Sequence, residues 1–227
     1  MKEEINIPES LNEITLGQYQ EFLIKSKGLE NYALAQCTVE VFCCLPKVSV
    51  LRISLIDITE ITNHINGLFS DDQLLSKTFS IKSQKFGFIN DIENMSLGEY
   101  SDCDKYITDW EQMHRTMAVL YRPITSEIKD QYTIREYDGT REFAELMRFM
   151  PLDIVFGALV FFYHLGNELL KSTRSYLVTE TVEMILAEQD NSLNSGDGTT
   201  AFTHSLKETL EGLTKLPDFQ LPKLSLS

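Results

Sequence analysis

The stretch "KTFSIKSQKFGFIN", Lys77 to Asn90, decides how the chain is read. Phe79 and Ile81 alternate with polar residues before Ser83 and Gln84, and Phe86 and Phe88 alternate after them. A period of two with a break in the middle is the pattern of a β-hairpin, although Ser-Gln is a poor two-residue turn. On both sides of this stretch the apolar residues change to helical spacing. The expected fold is therefore mostly α: a helical domain over residues 1–189 with one small inserted β-hairpin near 78–90.

Upstream, "ITLGQY" (Ile14–Tyr19) matches "MSLGEY" (Met95–Tyr100) almost letter for letter. Thr15 and Ser96 read as helix N-caps, with Gln18 and Glu99 as their capping-box partners three residues on. The pairs Ile14/Tyr19 and Met95/Tyr100 then read as hydrophobic staples. A weaker third version places Asp57 as cap and Glu60 as partner, between Ile56 and Ile61. The repeat is thus capping chemistry written more than once.

From these starts, helices are expected from Thr15 to Lys27, stopped by Gly28, and from Asn31 to Leu45, stopped by Pro46. "VSVLRIS" reads as a short extended piece, and a helix follows from Asp57 to Asn66 with Gly67 as C-cap. Beyond the hairpin, a helix from Ser96 reaches about Trp110, with continuation to Tyr121 as the open alternative and Pro123 as its end. "YTIREY" is a candidate short strand, and Thr140 is expected to cap a helix through Phe149. Pro151 suits the first position of a central helix that is apolar on all sides through Tyr163 and amphipathic from there to about Glu188.

Residues 190–227 differ in character. "DNSLNSGDGTT" reads as a flexible linker. Phe202, Leu206, Leu210 and Leu213 space as one helical stripe, and "LPDFQLPKLSLS" is an extended, Pro-punctuated end. A helix of this length is marginal alone, so the segment is expected to dock. Its anchors would be Phe202, Leu206, Leu210, Phe219 and Leu221, packed between chains or, alternatively, on their own domain.

Thirty-four acidic against 20 basic residues give a formal net charge of -14, which disfavours a direct contact with nucleic acid. The polar, acidic start "MKEEINIPES" lacks the pattern of a secretory signal, and "IVFGALVFFY" (Ile154–Tyr163) is too short for a membrane span. With four cysteines and no CxxC pair, the expectation is reduced thiols and synthesis in a cytoplasm.

Candidate chemistry is sparse. Glu111 and His114 make one Glu-x-x-His pair where a di-metal helical site needs two. Asp102, Asp104 and Asp109 fall on an expected helix without the glycine of a calcium loop. Ser195 in "NSGDG" lacks a nucleophile-elbow setting, and no phosphate-binding glycine loop occurs. No catalytic residue, cofactor site or metal site is assigned. In "DKYITDWEQMHRTMAVLYRPI" (Asp104–Ile124), Trp110 and Arg122 are the residue types that anchor interfaces, while Met117, Leu120 and Tyr121 are candidates for the core.

Three stretches carry a resemblance: "FGFINDIENMSLGEYSDCDKYITDW", "HRTMAVLYRPI" and "MPLDIVFGALVFFYHLGNELLKST". Over roughly Ile14 to Thr173 the chain resembles helical proteins of tailed bacteriophages infecting Bacteroidetes, especially crAss-like phages. The resemblance is to proteins carried in the tail as structural or cargo components, or to tail assembly chaperones. It implies a non-enzymatic protein of the virion whose partners are other tail or portal-proximal proteins, or further copies of itself. A chaperone absent from the mature particle, and a small helical enzyme with an unrecognised site, are the alternatives. Such proteins typically carry a glycine in the hairpin turn, and "IKSQKF" departs from that.

Overall fold

The first helix shows how these residues close their own ends. Thr15 Oγ1 accepts from the Gln18 N–H at 3.2 Å, and the Gln18 side chain accepts from the Thr15 N–H at 2.8 Å. The next two N–H groups of the helix, α1 (Leu16–Lys25), reach across the fold. Leu16 donates to the Met150 carbonyl at 2.9 Å and Gly17 to the Arg148 carbonyl at 2.7 Å. Donors that a helix start leaves orphaned are therefore all used. Gly17 allows this close approach, because a Cβ would sit 3.0 Å from the Arg148 carbonyl oxygen and the neighbouring backbone would have to give. Ile14 and Tyr19, the two halves of the expected staple, are both buried.

In this computed structural model the described residues are 5–70, 73–92, 95–129 and 131–162. Those up to residue 160 belong to one compact unit. After α1 come α2 (Asn31–Phe42), α3 (Lys47–Val50) and α4 (Leu55–Leu68). The hairpin strands β1 (Thr78–Ile81) and β2 (Gln84–Phe88) follow, then α5 (Leu97–Tyr106), a 3-10 turn at Trp110–Gln112 and α6 (Met113–Leu120). The chain continues through β3 (Tyr121–Ile128), β4 (Gln131–Ile134) and α7 (Ala144–Met147), and residues 152–162 are helical, α8.

The expectation of a mostly α domain with a single small hairpin is overturned. The described residues hold a four-stranded antiparallel sheet, in the order β1-β2-β3-β4. The hairpin itself is present: Phe79 lies opposite Phe86 and Ile81 opposite Gln84, across a two-residue turn of Lys82 and Ser83. Lys82 takes the left-handed φ of 54° that usually calls for glycine. The strand absent from the expected fold is β3; β4 overlaps the short strand expected at "YTIREY", and β3 joins it to the hairpin. Pro123 does not end a helix; it lies within β3 opposite Phe86, and its carbonyl accepts from the Arg135 N–H at 2.9 Å. A proline inside a strand belongs beside a bulge, and the β3–β4 register shifts between Ile124 and Ser126. The run "MAVLYRPI" is apolar nearly throughout, so periodicity cannot separate its helical half from its extended half.

Smaller departures have local causes. α2 ends at Phe42, before Pro46, because Cys44 adopts a left-handed φ of 53°. Leu45 then donates to the Glu40 carbonyl and Cys44 to that of Val41, a Schellman closure. The "VSVLRIS" stretch opens with a helical turn: Ser49 and Val50 both donate to the Pro46 carbonyl. The cap of α4 is Ser54, whose Oγ accepts from Asp57 N, so Asp57 is the third helical residue and Gly67 lies inside the helix. Ser96 and Glu99 form the second capping box, but Tyr100 is exposed, so only the first copy of the repeat buries its staple. The helix expected from Ser96 breaks at Tyr106, and Asp109 caps the 3-10 turn by accepting from Glu111 N. Thr140 contributes its carbonyl to Ala144 N, and α7 is a single turn ending at Met147. Pro151 pairs with Thr15 in an isolated bridge, and α8 starts one residue later.

Two aromatic clusters fill the interior. One gathers Tyr19, Phe69, Trp110 and Phe156, with Phe22 and Phe42 beside it. The other covers one face of the sheet, where Phe79, Phe86, Phe88 and Tyr121 meet at centroid distances of 5.0–5.4 Å. On the opposite face Gly87 has no side chain, and the ring of Tyr132 occupies that space, its hydroxyl donating to the Phe88 carbonyl at 2.9 Å. α8 buries Leu152, Val155, Phe156, Ala158 and Leu159, as expected of a central helix. Its continuation past Tyr163, the linker and the docking segment of 190–227 lie outside the described residues.

α8 passes the segment before β1 so closely that a Cβ on Gly157 would lie 2.2 Å from the Leu74 carbonyl oxygen. Gly157→Ala must push that backbone aside, with an expected loss of about 1–3 kcal/mol, the range for overpacking. Urea titration of both proteins reads it as a lower midpoint at unchanged slope; a wild-type midpoint would contradict the close approach.

Candidate functional site

Gln20 is the polar residue on the apolar face of α1, one turn beyond Leu16, and it is almost completely buried. Its Oε1 accepts from the Arg148 guanidinium at 3.1 Å. That leaves Nε2 as donor, shared among the carbonyls of Trp110 (2.7 Å) and Glu111 (3.1 Å) and His114 Nδ1 (3.1 Å). An amide nitrogen cannot accept, so Nδ1 is the acceptor and the neutral ring carries its proton on Nε2. Nε2 faces Glu145 Oε1 at 3.7 Å, and Glu145 in turn pairs with Arg148 at 2.9 Å. One polar network thus joins α1, the start of α6 and the end of α7.

A histidine beside a carboxylate is the geometry of an acid–base pair. Here His114 is only 2% exposed, its Nδ1 is hydrogen-bonded within the fold and its Nε2 faces Glu145 at 3.7 Å, which makes it a positioning element of the core. Burial lowers its pKa from the ordinary value, and the Arg148 charge adds to this against the opposing pull of Glu145. The pairing of Glu111 with His114 as metal ligands is not formed: Glu111 is exposed and meets His114 through its backbone. Among the described residues no group of three His, Cys, Asp or Glu side chains could hold a metal ion.

The second network is built on the second capping box. Glu99 Oε2 accepts from the Ser96 N–H at 2.6 Å, while Oε1 pairs with Arg122 at 2.7 Å. Both partners are buried. The Arg122 guanidinium lies over the Tyr137 ring at 5.8 Å, and the Tyr137 hydroxyl donates to Asp102. Burial, then the bond to Asp102, raises the Tyr137 pKa. Asp102 is therefore engaged with Tyr137 and Asp109 with the cap of the 3-10 turn, and Asp104 is exposed. Cys103 and Cys43 are buried thiols pushed up to about 12 and about 11, so neither is a thiolate near neutrality.

Of the residues proposed for partner binding, Trp110 is half-buried, its ring 5.0 Å from Tyr19 and 5.7 Å from Phe156. Arg122 is held by Glu99 within the interior. The two belong to different clusters. Phe202, Leu206, Leu210, Phe219 and Leu221 lie outside the described residues, as do Ser195 and His164.

The surface holds features that the sequence reading did not single out. An open groove of about 490 Å³ runs along α1, with exposed Ile24 and Phe149 on its walls. More conspicuous is the corner between α3 and α4. Val48, Leu51, Leu55 and Ile56 are 64%, 66%, 54% and 71% exposed there. Four large apolar side chains within one stretch of nine positions is the kind of surface that marks a contact site. Lys47 and Arg52 stand among them, exposed and without an ion-pair partner among the described residues. The signal was present in "KVSVLRISLI", whose apolar residues outnumber what a four-residue helix can bury.

Comparison with protein families, with curated proteins and with solved structures finds no match. No helix among the described residues is long and apolar enough to cross a membrane.

The depressed His114 value has a signed consequence. In the unfolded chain a histidine takes a proton below about pH 6.5. The folded protein resists that proton until lower pH, so the stability from the neutral ring is complete above about 6.5 and is lost as pH falls through the folded value. Urea midpoints should therefore drop as pH falls below about 6.5, and His114→Gln should flatten that slope. Equal slopes in the two proteins would contradict the assignment.

Proposed function

We propose that this chain is a non-enzymatic bacteriophage protein, held in the tail of the virion, that works through protein–protein contacts. The observation that carries the contact reading is the exposed apolar corner of Val48, Leu51, Leu55 and Ile56 on a strongly acidic chain. Acidic and polar side chains keep such a protein soluble and away from nucleic acid, and the corner gives it one place to associate. The phage and tail assignments are supported by the resemblance over residues 14–173 alone. Within that reading the partners are other tail or portal-proximal proteins and further copies of the chain, and it is made in the host cytoplasm.

The test is the protein content of purified particles. Mass spectrometry of mature virions should find the chain at a fixed ratio to the other tail proteins. Its presence in infected-cell lysate but absence from particles would contradict the virion assignment and favour an assembly chaperone. Turnover of a substrate by the isolated protein would contradict the non-enzymatic reading.

A further inference from the structure

We draw no further inference here: the strongest candidate, the open groove of about 490 Å³ along α1 with exposed Ile24 and Phe149 on its walls, has its cations Lys25 and Arg148 already paired with Glu21, Glu40 and Glu145, and nothing in the structure shows what covers it.

Discussion

The carboxylate of Glu99 and the guanidinium of Arg122 lie 2.7 Å apart in the interior, and each needs the other. A buried charge without its partner is far costlier than an exposed one, and removal of either side of such a pair typically costs about 3–5 kcal/mol. Glu99 reaches Arg122 because the capping box has already turned its side chain back toward Ser96 at the start of α5. Arg122 is in place because α6 ends at Leu120 and the chain becomes extended at Tyr121. The pair therefore ties the start of one helix to the strand that joins the two halves of the sheet. Tyr137 and Asp102 close over it, which holds the segment after β4 against α5.

This interaction also explains why some of the fold was legible in the residues and some was not. Both capping boxes could be read, because each needs only partners three residues apart, and the hairpin could be read from a period of two. β3 could not. Its first three residues, Tyr121, Arg122 and Pro123, are all buried, so the alternation that identifies a half-exposed strand is missing. Pro123 looked like a helix terminator, and it is tolerated in the strand through the neighbouring register shift. Nor could Arg122 be recognised as an internal group, since its partner lies 23 positions away in sequence. An arginine between Tyr and Pro carries no sign of whether its charge is met inside the fold or by another molecule. Gln20 was overlooked for a related reason: a lone polar residue on an apolar helix face gains meaning only when Arg148, Trp110 and His114 are seen around it.

The same geometry divides the molecule by chemistry. His114 and Arg122, which sequence reading weighs as chemistry and contact candidates, are turned inward, His114 beside Gln20 and Arg122 against Glu99. Two outward-facing features present exposed apolar side chains: the α3–α4 corner, and the groove beside α1 with Ile24 and Phe149.

The most direct measurement is a double-mutant cycle on Glu99 and Arg122, with Glu99→Gln, which keeps the capping box, and Arg122→Met. If the pair is internal and each charge depends on the other, each single change destabilises strongly. The double variant, which leaves no unpaired charge, is then more stable than the sum of the two effects by about 2 kcal/mol or more. Effects that add within about 0.5 kcal/mol would contradict that account, because they would mean that the two charges do not meet in the folded protein.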